Sequence, residues 1–137
     1  LITPFCFECD GRRVERRIVG GLLGQWAAGT RAAVKLLDEC HRAAVSDSAP
    51  SKLLADNVAV TDINAALFDA AHDFAGCIPG VYEVLRRQGL LAGNGCLDPR
   101  QALSPGQAEE IDRVMRAYSP WFDGDFVREN LARWLHE

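Results

Sequence analysis

The sequence lacks several features that would each define a function class. It has no apolar run approaching the ~20 residues of a membrane-spanning helix, and no basic-then-apolar signal segment opens it. It also lacks a basic excess, because 15 Lys and Arg residues stand against 19 Asp and Glu, for a net charge of −4. Since phosphate-binding surfaces need clustered basic residues, we expect neither a nucleic-acid partner nor a membrane partner.

The five cysteines are an odd number and are scattered through helix-like sequence. A disulfide framework normally has an even number, so we expect free thiols in a reducing cytoplasm. At 137 residues the chain is long enough for about one domain with a hydrophobic core. It opens on Leu1 rather than Met, so we expect a cut or incomplete chain, with removal of a leader as the alternative.

Only the beginning of the chain has a β-like pattern. Residues 1–10 form a short extended segment, which Pro4 limits to an edge or a strand end, and Asp10-Gly11 signals a turn. From Arg12 to about Val45, apolar residues return at three- and four-residue spacing. This predicts either one bent helix or two helices with a break near Gly29.

The rest of the chain reads as helices with no convincing linker. They are predicted from Ser51 to about Ala59, from Thr61 or Asp62 to Gly76, from Pro79 to Gln88, from Ser104 to Tyr118, and from Asp123 or Asp125 onward. The predicted organisation is therefore mainly α, with an extended segment at 1–10, a single helical region at 11–137, and at most one short strand. Gly20, Gly21 and Gly24 are interpreted as close-packing positions.

The stretch from Pro79 to Pro105 has clear helix boundaries. Pro79 suits a first helical position, and Gly89 suits a left-handed stop that Leu90 closes with a hydrophobic contact. Ser104 and Gln107 have the spacing of a capping box at the start of the next helix. The pattern predicts a helix, a tight stop, a surface loop and a second helix.

The same stretch carries a spaced motif: Tyr82-x-x-Leu85-x-x-x-Gly89-Leu90, followed by Gly93 and Pro99. It resembles the C-terminal region of the dihydrodipicolinate synthase / N-acetylneuraminate lyase family, where K-x-x-L-x-x-x-G-L, a Gly and R-x-P-L precede the last helices. The likeness extends over residues 62–135. Tyr82 replaces the lysine of the family pattern, and Leu97 replaces its arginine.

The resemblance implies a fold and an activity for a parent protein. The family fold is a (β/α)8 TIM barrel followed by extra helices, and a chain with one strand cannot close such a barrel. We therefore expect the helical C-terminal portion of a TIM-barrel lyase, with 1–10 as a possible barrel-strand remnant. The implied reaction is carbon–carbon lyase or aldolase chemistry on a 2-keto acid such as pyruvate, through a Schiff base, in a homo-oligomer without metal or cofactor. The alternative is a non-catalytic helical interaction or oligomerisation module.

No residue of this chain matches the catalytic groups that the resemblance implies. The lysines are Lys35 and Lys52, and neither lies in a β-type apolar run where a Schiff-base lysine would be desolvated. Tyr82 and Tyr118 occupy helical positions, so neither matches the proton-relay tyrosine. We assign no catalytic, cofactor-binding or metal-binding residue.

Two further patterns have a chemical and a structural interpretation. Cys6-x-x-Cys9 has the spacing of a zinc or redox pair, but no second ligand pair follows, so ordinary thiols are favoured. Asp69, His72 and Asp73 have i, i+3 and i+4 spacing, which would place them on one helical face. A solvated face is favoured there over a catalytic or metal role.

Overall fold

The computed structural model describes residues 1–135, so positions 136 and 137 of the predicted helical region lie outside the described residues. Its regular elements are two strands and five α-helices: β1 (Phe5–Cys9), β2 (Arg12–Arg16), α1 (Thr30–Ala44), α2 (Lys52–Leu67), α3 (Cys77–Arg87), α4 (Gln107–Ala117) and α5 (Gly124–Leu135). Short 3-10 segments span Gly24–Ala28, Ala70–His72 and Ser119–Phe122. The mainly helical class is confirmed for the described part of the chain.

The N-terminal strand has an antiparallel partner, so the expectation of at most one short strand is wrong. β1 pairs with β2 in a register that places Cys9 opposite Arg12, and the pairing crosses the predicted boundary at residue 10. Asp10 and Gly11 both have positive φ, 51° and 70°, as a type I′ hairpin turn requires. This turn fixes the hairpin although the arginines of β2 favour a helix.

The helix predicted from Arg12 begins only at Thr30, directly after Gly29, and no α-helix precedes it, so neither one bent helix nor two helices is found over residues 12–45. A Cβ on Gly29 would lie 1.9 Å from the carbonyl oxygen of Trp121, so this position needs glycine for its close approach. Gly20 and Gly21 have no atom within 4 Å of the corresponding position. Their interpretation as close-packing residues is therefore wrong.

Helix α2 is continuous where two helices were predicted. Asp62 does not cap a second helix, because its carboxylate accepts two 2.8 Å hydrogen bonds from Arg113 of α4. The helix ends at Leu67 rather than at Gly76, and Asp69 follows in the left-handed region with φ of 59°. The break thus comes earlier than the sequence pattern indicated.

The main core lies between α2, α3, α4 and the 3-10 segments before α1 and α5. Its buried members are Ala28, Ile63, Ala66, Leu67, Val84, Ile111, Val114 and Phe122. The Gln88 side-chain amide links two segments of this core, since it donates 2.9 Å and 2.6 Å hydrogen bonds to the carbonyls of Ala28 and Phe122.

None of the helices within residues 1–135 has the length and apolar character that crossing a bilayer requires.

The predicted stop of α3 is confirmed. Gly89 has a φ of 81°, its N–H bonds the carbonyl of Arg86 at 3.0 Å, and the N–H of Leu90 bonds that of Leu85 at 2.9 Å. These two bonds form a Schellman motif. The helix itself begins at Cys77, two residues before Pro79.

Candidate functional site

A buried carboxylate, Asp69, organises the junction between α2, α3 and α4. One of its oxygens, Oδ2, accepts hydrogen bonds from the Ser104 hydroxyl at 2.5 Å and from the Gly76 N–H at 2.9 Å. The other, Oδ1, lies 2.6 Å from Nδ1 of His72. Burial alone would raise the pKa of Asp69, but the hydrogen bonds from these three residues outweigh it and lower the pKa.

Gln107 completes this junction from the first turn of α4. Its side chain is buried, its Nε2 donates to the Gly76 carbonyl at 2.9 Å, and its Oε1 accepts from the Ser104 N–H at 3.1 Å. The second contact is one half of the predicted capping box. The other half is absent because the Ser104 hydroxyl donates to Asp69 instead.

An open cleft of about 400 Å³ lies beside this junction and contains the candidate proton-transfer group, His72. Its Nδ1 is held by Asp69, an arrangement that can orient an imidazole for acid–base chemistry. However, the Ser104 hydroxyl donates to the carboxylate rather than to His72, so there is no nucleophile–base pair. Arg113, also in the cleft, is already paired with Asp62 and Glu110.

The contacts of the junction therefore serve to hold three segments together. Asp69, His72 and Asp73 do not share a helical face, because Asp69 and Asp73 both have left-handed backbones beyond the end of α2. The interpretation of a solvated face is wrong for Asp69, whose side chain is only 3% exposed. The sequence signal that locates this junction is the capping-box pair Ser104 and Gln107. Their partner Asp69, which follows the end of α2, is not predictable from spacing.

The two lysines lie at the surface, away from any enclosed pocket. Lys35 is exposed on α1. At the start of α2, Lys52 Nζ lies 2.6 Å from Asp56 and 3.1 Å from Glu39, and these hydrogen bonds raise the pKa of Lys52. A Schiff-base lysine must be desolvated and have a lowered pKa, so the exposed position of Lys35 and the raised pKa of Lys52 do not suit that role.

The tyrosines and cysteines also fail to converge on a reactive site. The Tyr118 hydroxyl donates a 2.9 Å hydrogen bond to the Asp62 carboxylate. The same carboxylate accepts hydrogen bonds from Arg113, which are the main reason that the pKa of Asp62 falls to about 2. Cys6 and Cys9 are exposed on β1, and their spacing of three residues places them on opposite faces of the strand. Residues 1–135 hold no group of three or more His, Cys, Asp or Glu side chains placed to share a metal ion.

An open apolar groove of about 690 Å³ lies along α1 and the extended stretch before it. We call it the α1 groove; its lining includes Leu1, Ile18, Leu22, Trp26, Val34 and Leu37. A second open cleft of about 680 Å³ shares Leu1 and Trp26 with it and reaches Phe5 and Leu54. Sequence reasoning missed the α1 groove, because it placed Ile18 and Leu22 on the buried face of a helix.

The exposed area of the chain is large for its mass. A compact monomer of 15.0 kDa exposes about 7,000 Å². This chain exposes 9260 Å², an excess of about 2,200 Å² over that expectation.

Comparison of the chain with protein-family models, curated proteins and solved structures finds no match.

Proposed function

We propose that this chain is the helical C-terminal part of a Schiff-base-forming carbon–carbon lyase or aldolase that acts on a 2-keto acid such as pyruvate. In this role it contributes packing and assembly contacts within a homo-oligomer, and the chemistry resides on a TIM barrel that these residues do not form. The proposal rests on the resemblance of residues 62–135 to the dihydrodipicolinate synthase / N-acetylneuraminate lyase family.

The observation that carries this proposal is how the motif of the resemblance lies on the fold. Tyr82 and Leu85 lie on α3, and Gly89 and Leu90 form its left-handed cap, so the motif coincides with one complete helix end. Lys35 and Lys52 both lie at the surface, so the proposal assigns the Schiff-base lysine to a position outside these residues. The five free thiols support a reducing compartment such as the cytoplasm.

A second candidate is a non-catalytic helical interaction module. The α1 groove and the excess exposed area favour it, because contiguous exposed apolar surface is typical of sites that contact other proteins, membranes or ligands. Both candidates use the chain for packing rather than for chemistry. They differ in whether the native protein also carries a Schiff-base lysine.

Reductive trapping separates them. The native protein, isolated with an antibody against this chain, is incubated with pyruvate and borohydride, and its modified peptides are mapped. We expect an adduct on a lysine outside the 137 residues of this chain, with Lys35 and Lys52 unmodified. A folded native protein without any adduct supports the interaction module, and an adduct on Lys35 or Lys52 contradicts both.

A further inference from the structure

The β-hairpin is a two-stranded sheet with little cover. All five residues of β1 are exposed, and within β2 only Val14 is partly buried. A two-stranded hairpin is marginally stable in water unless a third strand or a packed face supports it. Within residues 1–135 no third strand joins this sheet. The hairpin therefore lacks the third strand or packed face that would support it within the described residues.

Its two edges differ in charge, which indicates the edge that accepts a strand. β2, Arg12–Arg16, has four charged side chains among its five residues, whereas β1, Phe5–Cys9, has only Glu8. Charged side chains commonly protect a sheet edge from pairing. β2 is therefore the protected edge, and β1 is the edge open to a partner.

We propose that β1 pairs antiparallel with β1 of a second copy of this chain, about a two-fold axis at Phe7. The product is a four-stranded sheet in the order β2–β1–β1–β2. This pairing deepens the assembly role of the proposed function, but it does not depend on where the lyase chemistry resides.

The residues that this register brings together are compatible. Phe7 opposes Phe7 of the second copy, and Val14 flanks each of them, so four apolar side chains form one row across the sheet. Phe5 opposes Cys9, and Cys6 opposes Glu8, so no like charges are directly opposite. Pairing through β2 about Val14 would instead place Arg12 opposite Arg16, which is unfavourable.

The chain as a whole leaves more area uncovered than a standard dimer interface needs. The excess of about 2,200 Å² per chain compares with about 800 Å² per partner in a standard interface and about 1,000–2,500 Å² in obligate homodimers. Phe5 belongs both to β1 and to the apolar cleft that reaches Leu54. A second hairpin seated on β1 therefore adjoins apolar surface that also gains from cover.

Sedimentation of the 137-residue chain tests the pairing. We expect the wild type to sediment as a dimer, and Phe7→Glu and Phe7→Lys each to sediment at the 15.0 kDa of one chain, because each places like charges opposite each other. Mixing the two variants should restore a dimer, because residue 7 opposes residue 7. Phe74→Glu, which alters another exposed phenylalanine outside the hairpin, is the matched control and should remain dimeric.

The mixing step separates pairing from folding, because a variant that merely misfolds is not rescued by its opposite charge. A wild type that stays at one chain mass, a dimer that persists in Phe7→Glu, or a mixture that stays monomeric would each overturn the pairing. Pyruvate trapping is read independently, so a failure of the proposed chemistry is distinguishable from a failure of the dimer.

Discussion

Asp123 caps helix α1 although the two are far apart in sequence. Its carboxylate accepts hydrogen bonds from the backbone N–H of Arg31 at 2.6 Å and of Ala32 at 3.0 Å. The residue before α1, Gly29, provides no side chain for this purpose. The last part of the chain thus satisfies the N–H groups that open the first helix, and α1 depends on it for its cap.

Replacing Asp123 should therefore destabilise the fold by a measurable amount. Asp123→Ala removes the cap, which costs about 1–2 kcal/mol, and places alanine at a φ of 52°, which adds about 1 kcal/mol. Asp123→Asn tolerates this backbone and keeps an acceptor oxygen, so its loss should be clearly smaller. Urea unfolding measures both; equal losses would contradict the capping role.

Asp69 offers a second test, with Asp73 as a control of matched backbone. Both residues have left-handed backbones, but only Asp69 is buried and accepts hydrogen bonds from Ser104, His72 and Gly76. Asp69→Ala should lose about 2–3 kcal/mol more unfolding free energy than Asp73→Ala, because it leaves the buried Gly76 N–H and the half-buried Ser104 hydroxyl without their acceptor. Similar losses in the two variants would mean that the junction is not structurally important.

Glu83 should make the stability depend on pH in the acid range. Its side chain is buried and accepts hydrogen bonds from Arg86 and Arg87. The hydrogen bonds from Arg86 lower its pKa most, burial raises it, and Arg87 lowers it further, so the pKa falls from 4.5 to about 2. A lowered folded-state pKa means that the ionised form stabilises the fold. This stabilisation is complete above the unfolded pKa and is lost as the pH falls through about 2.

The measurement is the free energy of unfolding from pH 6 to pH 2 for the wild type and for Glu83→Gln. The wild type should lose about 2 kcal/mol more than the variant across this range, allowing for the partly exposed Arg86. Asp62, whose pKa is also about 2, remains in both proteins and acts as an internal reference. Parallel pH curves would contradict the contribution of Glu83.

Gly80 should tolerate no side chain. A Cβ there would lie 2.1 Å from the carbonyl oxygen of Leu67, in the contact between α3 and α2. Gly80→Ala should therefore lower stability by about 1–3 kcal/mol, as overpacking a core does, despite the better helix propensity of alanine. Gly93→Ala meets open space and is the control. Thermal unfolding of both variants measures the difference.

Cys6 and Cys9 should not bind zinc tightly. They lie on opposite faces of β1. The side chains that hydrogen-bond to their sulfur atoms are Arg13 and Glu15 for Cys6 and Asp10 for Cys9. A chelator should leave the melting temperature unchanged, and a Cys6→Ser, Cys9→Ser double variant should match the wild type in metal content. Stoichiometric zinc that disappears in the double variant would contradict this.

Local signals in the sequence predicted the parts of the fold that depend on neighbouring residues. The end of α3 at Gly89 follows from a left-handed glycine and its two backbone bonds, which need nothing distant. The interruption at Gly29 was predicted from the low helix propensity of glycine, and α1 does begin directly after it. The close approach of Trp121, which requires glycine at that position, was not predictable from spacing.

The wrong predictions of secondary structure come from competing local signals and from contacts between residues far apart in the sequence. At Asp10-Gly11 a two-residue turn outweighed the helical spacing of Val14, Ile18 and Leu22, because positive φ at both turn positions fixes a hairpin. Asp62 is of a residue type that often caps helices. It lies inside α2 instead, where its carboxylate accepts two hydrogen bonds from Arg113 of α4. The Asp69 junction requires three chain segments to meet, which no local pattern encodes.

The loop between α3 and α4 is anchored at both of its ends. The Schellman bonds close it at Gly89, and Ser104 fastens its far end to Asp69, while Leu97 between them is fully exposed. Because neither anchor depends on the residues in between, extra sequence inserted near Leu97 leaves the helices where they are. This loop is accordingly the place to carry a fluorescent or affinity label for following the protein in its native host.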